Sequence, residues 1–177
     1  MSKTLYLERS TSTGRSGAWV EELDLSDVDR IVVGMGPGSF AGIRSALAFA
    51  QGYAIGKNCE VLGLPSPCGV EMEAGAFAVV GDARREKFWI ALFADGKLMV
   101  PVFQVDKDDL YKRVPLSAKV VSSDDARIGE LLKETFDSRY LGLRMQSEYG
   151  LKAYAEAHPE ALVREPLPIY LNPAVRS

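Results

Sequence analysis

A glycine-rich segment, residues 34–39 (Gly-Met-Gly-Pro-Gly-Ser), has the residue types that come nearest to a phosphate-binding site in this sequence. It follows an apolar strand pattern at 30–34 and precedes a helix that Ser39 is suited to cap. Free N–H groups and the helix dipole at such a junction attract anions. The segment lacks the Lys-Ser/Thr pair of a P-loop and the context of a dinucleotide-binding motif. An anion site and a structural tight turn therefore stay open as alternatives, and the turn is favoured. The candidate anion-site residues are Gly36, Pro37, Gly38, Ser39 and Arg44.

Asp82 and Arg84 form a second candidate cluster, at the predicted end of a strand. An aspartate there can hold Mg²⁺, and an arginine can bind phosphate. The favoured alternative is a turn in which Asp82 bonds its own backbone. His158 is the single histidine of the sequence and cannot supply a four-ligand zinc site. No Gly-x-Ser-x-Gly nucleophile motif is present. We therefore predict neither a catalytic residue nor a metal ligand.

The overall composition is that of an ordinary globular protein. The formal net charge is −3, which gives no electrostatic footprint for a protein that binds nucleic acid on its own. The two cysteines, Cys59 and Cys68, are too far apart for a Cys-x-x-Cys motif, and we expect buried, reduced thiols. The amino terminus has no signal-peptide pattern, and the apolar stretch at 46–56 is too short to span a bilayer. These features predict a cytoplasmic protein.

The elements that must position these residues alternate between strand and helix patterns. The first half predicts a hairpin, then a strand, a helix, a strand and a second helix. The second half predicts antiparallel strands, a further strand and two helices, with Pro101 marking an edge or a bulge. The order indicates an α/β fold of two lobes, 1–75 and 76–177. The predicted strands are 4–8, 18–20, 30–34, 60–64, 76–83, 87–93, 97–105 and 119–122, and the helices are 39–55, 67–74, 124–136 and 148–157, followed by an extended tail at 166–173.

The helix after the glycine segment carries few polar side chains, which is unusual for a surface helix. Small residues recur every four positions along one face, and bulkier apolar residues form another. The small-residue face either lies inside a layered fold or receives a helix of another subunit at close range. The sequence alone leaves these two interpretations open. The small residues are Gly42, Ala46, Ala50 and Ala54, and the bulkier ones are Phe40, Ile43 and Leu47.

Residues 36–44 (Gly-Pro-Gly-Ser-Phe-Ala-Gly-Ile-Arg) closely resemble the signature Gly-Pro-Gly-Ser-Phe-Thr-Gly-Leu/Ile-Arg of the TsaB (YeaZ-like) family. Similar segments follow in the family's order, from the helix at 48–54 to the Pro-x-Tyr-Leu motif at 168–171. Between them lie Gly-Leu-Pro-Ser at 63–66 and Gly-Asp-Ala-Arg at 81–84. The resemblance extends over residues 31–173.

The resemblance implies an α/β, actin-like or ribonuclease-H-like superfold with two small lobes, each with a mixed sheet and helices. It implies a non-catalytic partner of the catalytic subunit TsaD and the ATPase TsaE in tRNA threonylcarbamoyladenosine biosynthesis. The chain would need no cofactor of its own, with ATP and Mg²⁺ used by the partner subunits and weak nucleotide binding left open. It would form a homodimer when alone, contact tRNA only through the complex and bind no membrane.

The resemblance also assigns roles to residues of this sequence. Asp82 and Arg84 would face the cleft between the lobes. The helix after the glycine signature would contribute to the contact with the partner or with a second copy, and this favours an interface for its small-residue face. The predicted interface residues are Phe40, Gly42, Ile43, Ala46, Leu47, Ala50 and Ala54.

Three departures from the family pattern separate this sequence from a typical member. Ala41 replaces the usual threonine, and Leu-Glu-Arg-Ser at 7–10 replaces Ile-Asp-Thr-Ser. The residues between Trp19 and Ile31 are too few for the long helix usually found there, so we expect a shortened member. Two other hypotheses remain. One is a Mg-nucleotide-dependent kinase or phosphohydrolase that uses Glu8, the glycine segment and Asp82, and the other is a self-associating structural homologue.

Overall fold

The structure of the protein is a computed structural model that describes residues 3–11, 20 and 23–171. Its strands and helices are numbered in chain order. They are β1 (Lys3–Leu7), β2 (Val28–Gly34), α1 (Phe40–Lys57), β3 (Glu60–Leu64), β4 (Ala76–Arg84), β5 (Lys87–Ala94), β6 (Lys97–Leu98), β7 (Phe103–Asp106), α2 (Leu110–Arg113), β8 (Lys119–Ser122), α3 (Asp125–Phe136), β9 (Tyr140–Leu143), α4 (Glu148–Ala157) and β10 (Val163–Arg164).

Two mixed sheets organise these elements. The first has the order β1-β2-β3-β10, in which β1, β2 and β3 are parallel and β10 is antiparallel to β3. The second has the order β6-β5-β4-β8-β9, with β7 also paired to β5. In it, β4 and β5 form an antiparallel hairpin, whereas β8 runs parallel to both β4 and β9. The predicted α/β class is confirmed.

Three apolar cores hold the layers together. Helix α1 covers one face of the first sheet through Ile43 and Leu47, which pack with Ile31 and Val33 of β2. The opposite face of that sheet shares a core with the second sheet, and Leu151 of α4 lies in that core. Helix α3 covers the remaining face of the second sheet. The order of the layers is therefore α1, first sheet, α4, second sheet, α3. Within the described residues, no helix combines the length and the hydrophobicity that a membrane span needs.

Most predicted elements lie where the sequence indicated. Helix α4 and strand β3 have the predicted bounds, and Ser39 caps α1, since its Oγ accepts a hydrogen bond from Gly42 N. The predicted end of α1 at Ile55 is wrong, because the helix continues to Lys57 and Asn58 takes the left-handed conformation. Residues 18 and 19 of the predicted hairpin lie outside the described residues. Strand β1 pairs in parallel with β2.

Two predicted elements are corrected by tertiary contacts. The predicted helix at 67–74 is only a single 3₁₀ turn, Ser66–Gly69. The chain then becomes extended because Val70 bridges to Gln146 and Gly69 packs against the backbone of α4. The predicted strand at 97–105 is divided into β6 and β7, since Pro101 has no N–H to donate to a ladder. Strand β9 and the short helix α2 were not predicted.

The division at 75/76 coincides with the start of β4, but the chain does not stay in the second lobe afterwards. Strand β10 pairs with β3, so part of the predicted C-terminal lobe completes the first sheet. Beyond it, Ile169 N donates a hydrogen bond to Met35 O at 2.8 Å. The tail at 165–171 therefore lies against the glycine segment, at the junction of the two lobes. As a division into domains, 1–75 and 76–177 stays a prediction.

Candidate functional site

A cleft of about 500 Å³ lies between the two sheets. The glycine segment borders it through Pro37, Gly38 and Ser39, and β4 borders it through Asp82 and Arg84. Ser10, Asp124, Arg127, Gln146 and tail residues 169–171 complete much of its wall. The structure thus brings the two clusters singled out in the sequence to opposite sides of one cleft.

Most charged groups of the cleft are paired with one another. Arg127 Nη1 lies 3.7 Å from Asp82 Oδ2 and 3.4 Å from Asp124 Oδ2. Asp82 Oδ1 accepts a hydrogen bond from Arg84 N at 2.7 Å, which is the turn favoured by the sequence. Arg84 Nη1 lies 3.4 Å from Asp82 Oδ2 and is largely exposed. Because the Asp82 carboxylate accepts a hydrogen bond from its own turn and forms ion pairs with two arginines, it is not free to bind a metal ion. Within the described residues, no three His, Cys, Asp or Glu side chains form a metal-binding group.

The glycine segment bonds mainly to its own chain. Gly36 N donates to Ser66 Oγ at 2.9 Å, Met35 N donates to Leu64 O at 2.8 Å, and Ser39 N donates to Ser10 O at 2.5 Å. Amides bonded to protein oxygens are not free to bind an anion. The amides of Gly36 and Ser39 are therefore occupied, which favours the structural turn, and the anion site stays a prediction. Arg44, the fifth residue of that set, does not line the cleft.

Glu8 lies beneath the glycine segment and does not line the cleft. A Cβ atom at Gly34 would collide with its carboxylate, so Glu8 fits only because residue 34 is glycine. Glu8 Oε1 accepts from Ser10 N at 2.6 Å, whereas Oε2 has no partner within the described residues. Burial raises the pKa of Glu8 to about 7, the backbone hydrogen bond from Ser10 N opposes this shift, and the charge of Glu148 raises the pKa further. The hypothesis of a Mg-nucleotide site that joins Glu8 to Asp82 does not fit this geometry.

Two polar atoms of cleft residues also lack partners within the described part of the chain. They are Ser10 Oγ and Gln146 Oε1, and both residues are at least 95% buried. Neither residue was predicted as a site residue, and nor was Arg127. No sequence motif marks these three positions, which are brought together only by the packing of β1, α3 and the segment before α4.

The two faces of α1 have different environments. The inner face consists of Ile43, Ala46, Leu47 and Ala50, which are buried in the core beneath the helix. The outer face consists of exposed residues at helical spacing: Ala41, Arg44, Ser45, Ala48, Gln51, Gly52 and Ile55. Residues 40, 44, 48 and 52, which are four positions apart along the helix, are all exposed. The outer face is therefore the part of α1 that the described residues leave uncovered.

Most of the predicted interface residues are thereby corrected. Ala46 and Ala50 are 0% exposed, and Ile43 and Leu47 are also buried within this chain, so none of the four can form a contact surface. Gly42 lies against the backbone of Arg9, where a Cβ atom would collide with the carbonyl oxygen. Ala54 is half-buried against the same core as the inner face. Phe40 alone of the predicted set is exposed, with 54% of its surface accessible.

An exposed cluster adjoins the first turn of α1, and we call it the aromatic plate: Phe40, Arg44 and Tyr170. Arg44 Nε donates to Tyr170 Oη at 2.9 Å, and its Cζ lies 3.8 Å from the centroid of the Phe40 ring. The two ring centroids are 5.6 Å apart. Tyr170 belongs to the Pro-x-Tyr-Leu motif in the sequence, but its contact with α1 was not predicted.

The cysteine prediction is confirmed for both residues. Cys59 and Cys68 are buried and free. Burial raises the pKa of Cys68 to about 12, against a hydrogen bond with Tyr154. Both thiols are therefore part of the apolar cores rather than of the cleft.

Comparison with known proteins places this geometry in a family context. The family model TsaD, tRNA N6-adenosine threonylcarbamoyltransferase, matches residues 20–122, more than half of the 177 residues. Over 92 residues the chain is 37% identical to an uncharacterized protein of Mycobacterium bovis, covering 51% of this chain and 44% of that protein. An uncharacterized protein of Mycobacterium tuberculosis matches with the same identity and coverage. The chain thus spans less than half the length of these curated relatives.

Solved structures match over almost the whole chain. A crystal structure described as an uncharacterized protein with similarity to peptidase YEAZ from Pseudomonas aeruginosa has a TM-score of 0.70 at 21% identity, covering 97% of this chain and 100% of that chain. YeaZ from Pseudomonas aeruginosa has the same TM-score and identity, covering 94% and 99%. The fold is the predicted actin-like, ribonuclease-H-like α/β fold. The chain belongs to the TsaD family, tRNA N6-adenosine threonylcarbamoyltransferase, and within it has the fold of the YeaZ (TsaB-like) proteins.

Proposed function

We propose that the chain is a TsaB-type, non-catalytic partner subunit in tRNA threonylcarbamoyladenosine biosynthesis. It binds a TsaD-type catalytic subunit through the outer face of α1, and that subunit works with a TsaE-type ATPase. The chain forms a homodimer through the same face when the partner is absent. It has no cofactor and contacts tRNA only through the complex. The family membership supports the pathway, and the outer face supports the mode of action.

The main support for the proposal is that no packing within this chain explains the glycines on the exposed side of α1. A Cβ atom at Gly52, or at the exposed Gly56 beside this face in the last turn of α1, would meet nothing within 4 Å. Glycine inside a helix costs about 0.5–1 kcal/mol relative to alanine. Packing within the chain does not require that cost at either position. Close approach of a second backbone does require small side chains there, as in other tightly packed helix pairs.

The rest of the outer face has the character of an interface rather than of a solvated surface. Ile55 is 89% exposed, and Ala41, Ala48 and Gly52 leave a smooth surface beside it. Between Ser45 and Gly56 no charged side chain interrupts this surface. Interface cores are depleted in charged residues in the same way.

The cleft supports the non-catalytic part of the proposal. Asp82 is occupied by its own turn and by two arginines, and Glu8 is buried away from the cleft. A general base or a metal ligand needs a carboxylate within reach of the substrate. Glu8 lacks that position, and Asp82, which borders the cleft, is already engaged by its own turn and by two arginines.

Reconstitution tests the proposal directly. The chain is mixed with the TsaD-type and TsaE-type proteins of its own organism, and complex formation is followed by size-exclusion chromatography with light scattering. Threonylcarbamoyl transfer to tRNA is then measured with and without the chain. We expect a complex at micromolar concentration and transfer that depends on the chain, with no transfer by the chain alone. Absence of any complex, or transfer that is unchanged without the chain, would contradict the proposal.

The cleft also supports a second candidate, the binding of a small polar molecule. Ser10 Oγ and Gln146 Oε1 are buried without partners within the described residues, and both residues line the cleft. Buried polar atoms are usually satisfied by a protein group, a water or a ligand. Calorimetric titration with ATP and Mg²⁺ tests the kinase or phosphohydrolase form of this candidate. Stoichiometric binding that is lost in Arg127→Ala would favour this candidate, and the absence of a binding signal would eliminate it.

Self-association of the chain without binding of any partner would favour the remaining hypothesis, a self-associating structural homologue.

A further inference from the structure

We propose that the aromatic plate of Phe40, Arg44 and Tyr170 is an anchor of the partner interface and binds an acidic side chain of the partner. The inference rests on the proposed function, because it names the chemistry by which the outer face recognises the TsaD-type subunit. It gives Arg44 a role in protein recognition rather than in the anion site that was predicted at the glycine segment.

The first step is the state of the Arg44 guanidinium. Its Nε donates to Tyr170 Oη at 2.9 Å, which leaves Nη1 and Nη2 without an acceptor within the described residues. No carboxylate of the described residues lies within 4.0 Å of Arg44, whereas Arg30 has one and Arg127 has two. A guanidinium presents its N–H groups in a planar fork that matches a carboxylate. Arg44 therefore carries positive charge that this chain does not neutralise.

The second step is the rigidity of the cluster. The Arg44 Cζ lies 3.8 Å from the Phe40 centroid and 5.7 Å from the Tyr170 centroid, so the guanidinium is held against one ring and beside the other. Tyr170 is itself fixed, because the neighbouring Ile169 N donates to Met35 O. An arginine that is already held in place loses less conformational freedom on binding than a free one. The tail and α1 thus position the charge before any partner arrives.

The third step is where the cluster lies. Arg44 is four residues from Ala48 and eight from Gly52, so Arg44 continues the outer face along the same line of the helix, and the rings of Phe40 and Tyr170 lie between this line and the cleft that they border. Phe40 and Tyr170 are 54% and 51% exposed. Arginine and tyrosine are enriched among the residues that dominate binding energy at interfaces. A flat surface of small residues next to an exposed, uncompensated arginine fits a helix of a partner that carries Asp or Glu at one end.

The test measures binding of the organism's TsaD-type subunit by titration at two ionic strengths. The variants are Arg44→Ala, Arg44→Glu, Tyr170→Phe and the control Arg113→Glu, which alters an arginine over the Phe103 ring in the second lobe. We expect Arg44→Ala to weaken binding about tenfold or more, corresponding to a typical interface anchor. Arg44→Glu should weaken binding further. Tyr170→Phe should have an intermediate effect, because it keeps the ring but removes the hydroxyl oxygen that accepts the hydrogen bond from Arg44 Nε. Arg113→Glu should bind as the wild type does.

The outcomes separate this inference from the function on which it rests. If the wild-type chain binds no partner, the proposed function fails. If the wild type binds and Arg44→Ala binds equally well, the function stands and the anchor is wrong. Arg44→Glu binding as tightly as Arg44→Ala would overturn the acidic character of the partner site. Thermal unfolding of each variant shows that it is folded, and we expect no change because Arg44 is exposed. The affinity of Arg44→Ala should also depend less on salt than that of the wild type.

Discussion

The inner and outer faces of α1 are built from the same kinds of small residue and yet lie in opposite environments. On the inner face, Ala46 and Ala50 are fully buried because the helix lies close against the parallel strands of the first sheet. On the outer face, Ala48 and Gly52 are exposed, and a Cβ atom at Gly52 would meet nothing within 4 Å. A small residue buried by its own fold is explained by that fold. A glycine left exposed inside a helix calls for an explanation outside the chain, because alanine at the same position would favour the helix.

The largest expected difference between the faces comes from adding bulk. Ala50→Phe should lower the free energy of unfolding by about 3 kcal/mol or more, because a closely packed site cannot take a ring without moving the backbone. Ala48→Phe on the outer face should change it by no more than about 0.5 kcal/mol. Urea unfolding followed by circular dichroism measures both. Equal losses of stability would show that the two faces are not distinct.

The stability of the fold should depend on pH through Glu8, which is buried beneath the glycine segment that leads into α1. Its pKa of about 7 in the folded protein lies above the ordinary value of 4.5. The stability that depends on protonated Glu8 is therefore fully present below pH 4.5. It is lost as the pH rises through about 7, because the folded protein then has to bury a charged carboxylate. Glu8→Gln cannot ionise, so above pH 7 it should be more stable than the wild type, on the order of 3 kcal/mol.

Unfolding free energies between pH 4 and pH 8 check the Glu8 prediction. The two proteins should be similar near pH 4 and diverge as the pH rises. Glu148→Gln provides the matched control, because the charge of Glu148 raises the pKa of Glu8 and its removal should shift the transition to lower pH. Parallel profiles for wild type and Glu8→Gln would mean that Glu8 is not the buried titrating group.

The smallest expected effect concerns the outer face by itself. Gly52→Ala should stabilise the isolated chain by about 0.5–1 kcal/mol, since alanine favours the helix and its methyl group meets no atom within 4 Å. Thermal unfolding of the separated chain measures this gain. A loss of stability would show that Gly52 serves the fold of this chain, and it would contradict the close approach of a second backbone at this position.

The sequence predicted the fold better than the surface. The strand, the glycine segment and the capped helix were recognised because local chemistry determines them: Ser39 caps α1, and apolar runs form β2 and β3. The choice of face on α1 failed, because small residues recur at helical spacing on both sides. Ile43 and Leu47 could have identified the buried face, because bulky apolar residues next to Ala46 and Ala50 indicate the side of the helix that packs inward.

The cleft and the aromatic plate depend on contacts between distant parts of the chain. Arg127 reaches Asp82 only when α3 packs beside β4, and Tyr170 reaches Arg44 only when the tail returns to the first lobe. No periodicity or local motif encodes such contacts. The resemblance at 168–171 identified the tail motif, but not the side chain that it contacts.

Binding of the TsaD-type subunit to Gly52→Arg tests the central claim most directly. The variant is compared with wild type and with Ala153→Arg, which places the same side chain at an exposed position of α4. Each protein is first shown to be folded by circular dichroism and thermal unfolding, and is then titrated calorimetrically. The account predicts that Ala153→Arg binds as the wild type does and that Gly52→Arg remains folded but binds at least about a hundredfold more weakly. A folded Gly52→Arg protein with wild-type affinity would contradict it.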